Sequence, residues 1–140
     1  MTENDPGAVR RRAVVALVVA SLLNIPFGTI YAFSVFLRPM EQEIGVTRAE
    51  MSVVFAGATV ALAMGMNLLA PLARRFHGAT LITVAGLVSA LGVLLVTQAD
   101  GFWMLFLGYG VLFGLGGGVS FTAVQQCVNQ AMPRPSGLAN

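Results

Sequence analysis

The sequence predicts an all-α transmembrane fold with four membrane-spanning helices, and three observations lead there. Four apolar stretches, residues 13–37, 51–72, 79–98 and 102–128, fill most of the 140-residue chain. None of them contains Arg, Lys, Asp, Glu or His. The chain is 56% hydrophobic and 10% charged, with mean hydropathy +0.80, whereas a soluble domain carries about 25% charged residues. A helix rises about 1.5 Å per residue and the hydrocarbon core is roughly 30 Å thick, so about 20 apolar residues suffice to cross it. Backbone groups in lipid must satisfy one another, which makes such runs helices.

The net charge of +2 comes with eight arginines and no lysine. The arginines stand at the ends of the apolar runs, so the sequence pI near 9.3 reflects topology rather than a nucleic-acid partner. With the N-terminus inside, Arg10, Arg11, Arg12, Arg74, Arg75 and Arg134 are cytoplasmic, and only Arg38 and Arg48 lie outside. That six-to-two bias predicts a multi-pass protein of the cell (inner) membrane, with both termini cytoplasmic and the lipid bilayer as its first partner. Trp103 and Phe102 then fall in the outer headgroup layer. Cys127 is the single cysteine, read as a small packing residue; no disulfide, multi-cysteine metal site or cofactor is expected.

Residues 1–12 are expected to form a cytoplasmic tail, disordered over 1–9 around Pro6-Gly7. The triple arginine before span one resembles a secretory signal, but the run that follows exceeds a signal h-region and lacks an A-x-A site. Span one (13–37) is therefore a retained helix, with a kink expected at Asn24, Pro26 and Gly28. Ser21, Asn24, Gly28 and Tyr31 recur at steps of three and four, placing them on one face. This polar stripe is either a cavity lining or a helix contact in which Asn24 bonds a neighbour.

Arg38-Pro39 is expected to end span one, and Thr47-Arg48-Ala49-Glu50 reads as a capping box that opens span two. Span two carries Gly57, Ala61 and Gly65 four residues apart, the small-xxx-small pattern of close helix packing. The loop 73–78 holds Arg74, Arg75 and a solvated His77. Span three has Gly86, Ser89, Ala90 and Gly92 as small positions, and Asp100-Gly101 forms a tight turn. Span four is glycine-rich: Gly110, Gly114 and Gly118 form overlapping G-x-x-x-G steps, joined by Gly116 and Gly117. Its later Thr122, Gln125, Gln126 and Asn129 supply hydrogen-bonding groups for an aqueous vestibule. Residues 133–140 read as a cytoplasmic loop and the start of an incomplete fifth helix.

The run from Gly28-Thr29-Ile30-Tyr31-Ala32-Phe33-Ser34 to Leu37, then Pro39 and Glu43-Ile44-Gly45-Val46-Thr47-Arg48-Ala49-Glu50, resembles the oxalate/formate antiporter branch of the major facilitator superfamily. The ending Gly137-Leu138-Ala139-Asn140 is similar to the related monocarboxylate transporters. The superfamily's loop between helices two and three has the form G-x-L-A-D-R-x-G-R-[KR]. Here Arg75 matches it, while Arg74 replaces the aspartate and His77 the glycine, which alters the cytoplasmic gate. The resemblance implies a partial N-terminal bundle of a secondary transporter for small carboxylates, working by alternating access. Its substrate, in a full-length form, is a small organic anion. Helices one and four would line the path, through Asn24, Gly28, Tyr31, Gly114, Gly118 and Gln125. Gly57, Ala61, Gly65 and Gly110 would pack helices, and Arg74 and Arg75 would form the gate loop. Such carriers have about twelve helices in two halves, so a missing C-terminal half or partner subunit is expected, and the 140 residues are read as a fragment not competent alone.

Two other readings stay open. A small dimeric four-helix multidrug exporter depends on a glutamate in its first helix, and span one has none. A non-transporting helical membrane module packing with another subunit fits the glycine motifs equally. No nucleophile–base pair suggests an enzyme. All the transmembrane readings require that the purified chain stay dispersed only in detergent or bilayers; elution as a compact monomer in plain buffer would refute them.

Overall fold

The computed structural model describes residues 6–25, 28 and 33–131. Among them the chain is helical, with no strand. Helix α1 spans Pro6–Asn24, α2 Phe33–Ile44, α3 Arg48–Ala73 and α4 Gly78–Val96. The last helical rod begins as α5 (Phe102–Leu105), widens into a π-helical segment (Phe106–Phe113) and returns to α-helix as α6 (Gly114–Ala131). Three helices are long and apolar enough to cross a membrane: Arg48–Ala73, Gly78–Val96 and Phe102–Gln130. This is an all-α chain with the make-up of a membrane protein.

The first span departs from expectation. Helix begins already at Pro6, inside the stretch expected to be disordered, with proline at the first helical position, where its missing N–H is harmless. The α-helix then stops at Asn24, and Ile25 is in a 3-10 turn. A residue before proline is driven out of the α region, and Pro26 follows. The apolar part, Ala13–Asn24, is shorter than a span. The described residues thus hold three candidate spans where four were expected. The kink at Pro26, with Tyr31 and residues 133–140, lies outside the described residues. Arg38-Pro39 does not end a helix either: Pro39 sits inside α2, which runs on to Ile44. Gly45, with φ +72°, ends it in the left-handed conformation that glycine adopts without strain.

The entry to α3 follows the sequence reading. Thr47 N–H donates to Glu50 Oε2 at 2.7 Å, and Glu50 N–H donates to Thr47 Oγ1 at 3.3 Å, completing the capping box. Val46, just before the cap, packs with Met51 four positions into the helix, a hydrophobic staple that fixes the entry angle. Val54 and Leu105 complete this fully buried cluster, with Met40 and Ile44 of α2 packed against it.

The rod from Phe102 to Ala131 is the hub. α3, α4 and α1 all pack against it, whereas α3 and α4 barely touch each other. Its apolar window is 56% buried, against 28% for α3 and 22% for α4. α3 buries Met51, Val54, Ala58, Ala61, Gly65 and Leu69; α4 buries Leu81, Ala85, Ser89 and Gly92. Steps of three and four give each helix one narrow seam. Much of the surface off the seam is apolar and exposed, including Val60, Met64 and Leu68 on α3, and Val84, Leu87 and Leu91 on α4. A water-soluble surface does not carry apolar area on that scale.

Glycines set the distances. A Cβ on Gly118 would collide with Leu62 O and fall 3.0 Å from Gly65 Cα, and one on Gly114 would fall 2.7 Å from Ala58 O. On the α4 side, a Cβ on Gly92 would lie 2.5 Å from Gly108 O, and one on Gly116 2.5 Å from Ala85 O. The π segment has a geometric reason. A strict four-residue spacing drifts around an α-helix of 3.6 residues per turn. Wider π turns hold Phe106, Gly110, Gly114 and Gly118 toward α3, where the Phe106 ring edge fills the space over Gly57.

These contacts predict opposite outcomes for two glycines. Gly118→Leu is expected to destabilise the fold by about 2–3 kcal/mol or more, read as a lower thermal midpoint in detergent. Gly86→Ala, with open space around its Cα, is expected to leave the midpoint unchanged or raised.

Candidate functional site

α1 lies along α6, and between them and α4 is a cavity of about 280 Å³. Leu23 of α1, Ile82, Ser89 and Val93 of α4, and Ser120 and Val124 of the rod are among its walls. The serines are the polar members. Ser89 is 6% and Ser120 4% exposed, and neither hydroxyl has a hydrogen-bond partner. Ser89 stands over Gly116, whose missing side chain makes room for the hydroxyl. Asn24, next to Leu23, donates from Nδ2 to Ala20 O at 2.9 Å, and its Oδ1 is buried without a partner. Asn129 Oδ1 near the end of α6 is likewise buried and unpartnered. Each such group in an apolar surrounding costs on the order of 1–3 kcal/mol, so the two serines give this cavity a polar demand.

The expected path residues are only partly brought together. Asn24 is half-buried and bonded within its own helix, to Ala20 O, rather than to a neighbouring helix. Gly28 is exposed, with nothing near its Cα. Tyr31 lies outside the described residues, so the stripe Ser21–Asn24–Gly28–Tyr31 is seen only in its first three members. Gly114 and Gly118 are both buried in the contact with α3. The four-residue spacing that suggested a groove is used up by backbone packing. Gln125 is half-buried on α6.

The expected packing residues take that place. Gly57 accepts the Phe106 ring, Ala61 lies against Gly114, Gly65 against Gly118, and Gly110 faces Val54 O. Arg74 and Arg75 are exposed at the turn after α3, with Arg75 N–H donating to Leu72 O at 3.0 Å. His77 is exposed at the start of α4 and makes no side-chain cap bond. Cys127 is exposed rather than packed inside, with Sγ beside Gly78. Trp103 is 79% exposed and edge-on to Phe102 at 5.2 Å. Among the described residues no three His, Cys, Asp or Glu side chains gather as a metal site.

Ser120, and Ser89 as more than a small position, escaped sequence reasoning. A serine facing a glycine across two helices leaves no trace in either helix's own pattern. No family model, no curated protein and no solved structure matches the chain.

If the two hydroxyls have no partner, Ser89→Ala and Ser120→Ala are expected to leave stability unchanged or raise it by about 1 kcal/mol. A fall in the thermal midpoint of either variant would reveal a bound water or other partner at that hydroxyl.

Proposed function

We propose that this chain is the opening helical bundle of a secondary transporter for small carboxylates, of the oxalate/formate or monocarboxylate type, in the cell (inner) membrane. The observation that carries this reading is the set of unpartnered polar atoms on α1, α4 and α6, Asn24 Oδ1, Ser89 Oγ, Ser120 Oγ and Asn129 Oδ1, with the two serines lining one cavity. Polar groups inside a membrane are retained where a path or a partner uses them. The rod and its two flanking spans, locked by glycine contacts, suit a unit that rocks as one body in alternating access. In this reading the small anion passes beside α1 and α6, and its charge is met by cationic side chains on helices outside these residues. None stands within 51–73, 78–98 or 102–131. Arg74 and Arg75, in the turn between α3 and α4, act at the gate.

The test is uptake of labelled formate, oxalate, lactate and pyruvate into proteoliposomes. It compares the 140-residue chain with the product of its full reading frame. Uptake of at least one carboxylate by a product that carries further spans, with none by the 140 residues alone, is the expected result. A reading frame with no further spans and no uptake would overturn the proposal. It would leave a membrane module that packs with another subunit.

A further inference from the structure

The strongest unassigned feature lies away from that cavity. α3 is pulled onto one side of the rod by Gly65, Gly114 and Gly118, and α4 onto another by Gly92, Gly108 and Gly116. The two helices are joined by a short turn yet barely touch. Between them runs a wedge of about 250 Å³, floored by Leu115 and Val119, with Leu72, Phe76, Val84 and Val88 among its sides. Its walls are wholly apolar. Leu72 and Phe76 bracket Arg74 and Arg75, so the wedge has two exposed guanidinium groups at one end. Among the described residues neither forms an ion pair; Glu50 and Asp100 stand at the opposite ends of α3 and α4, and Glu41 and Glu43 lie on α2.

We propose that this wedge is a site for an anionic phospholipid, one acyl chain lying along Val84, Val88 and Leu115 and the phosphate held by Arg74 and Arg75. A lipid tail is apolar and mobile enough to fill such a wedge from the bilayer. Charge selects which lipid: planar guanidinium groups bind phosphate oxygens in pairs, and arginines beside a span favour anionic headgroups. Lipid binding here does not require transport, although Arg74 and Arg75 are also the residues of the proposed gate.

The test uses the full chain with Phe76→Trp as reporter and Trp103→Phe to remove the native indole, in vesicles containing brominated phosphatidylglycerol or brominated phosphatidylcholine. Quenching is expected to show phosphatidylglycerol favoured by about fivefold or more, as one arginine near the surface alone supplies. Arg74→Gln with Arg75→Gln is expected to bring the ratio close to one. Val84→Phe with Val88→Phe, which fills the wedge and keeps both arginines, is expected to reduce quenching by either lipid. Equal quenching by the two lipids would overturn the proposal, as would a preference that survives filling of the wedge, since the arginines would then act as a simple surface charge. Native mass spectrometry of the unaltered chain from mixed micelles gives a check free of substitutions. Retained phosphatidylglycerol is expected, and equal retention of both lipids or of neither refutes the site.

Discussion

Backbone-to-backbone approach along the rod from Phe102 to Ala131 is the constraint on which the rest of the architecture depends. Between helices in lipid, burying a leucine gains little, because the acyl chains it leaves are equally apolar. What remains is van der Waals contact, and that grows only when helices come close. Gly118 against Gly65 and Gly108 against Gly92 bring main-chain atoms together where any side chain would collide. Glycine is a poor helix former, at about 1 kcal/mol relative to alanine in water. The rod tolerates it because both flanks are covered by neighbours.

That packing has geometric consequences. One helix that contacts two others through separate faces holds those two apart, which is why α3 and α4 are joined by a short turn yet leave a wedge between them. Each outer helix then needs only a narrow seam of small residues, and the remainder of its surface is free to be apolar toward lipid. The π segment belongs to the same logic. It corrects the drift of a four-residue glycine spacing, so that Phe106 and Gly110 stay in line with Gly114 and Gly118. Close packing also traps what it encloses: Ser89, held over Gly116, has no donor or acceptor within reach.

The two ends of the bundle differ in kind. At the start of α3 the capping box and the Val46–Met51 staple anchor a fully buried apolar cluster, which ties α2 to the rod through Leu105. At the other end, around Arg74 and Arg75, polar groups are exposed and apolar walls are left open. The proposals for transport and for lipid binding both draw on groups this packing leaves without partners. The first rests on Asn24 and the serines and the second on the apolar wedge, while both use the arginine turn.

Much of the helical content was legible because its signals are local. Charge-free runs of sufficient length marked α3, α4 and the rod, and Thr47 with Glu50 marked a start within four residues. Gly57, Ala61 and Gly65 marked a packing face by spacing alone. Where the reading failed, a local rule was outweighed or an interaction lay between helices. Pro39 was read as a stop, yet α2 carries it to Gly45. Gly114 and Gly118 are expected on a path and stand in the α3 contact, and spacing cannot choose, since a groove and a contact need the same small residues. By itself the sequence determined that this chain is helical, apolar enough for lipid and capped at Thr47, because length, charge and capping act within a few turns of one helix. Only the tertiary structure decided which helix is the hub, where the wedge opens and which hydroxyls are stranded, because those depend on what stands opposite each residue in space.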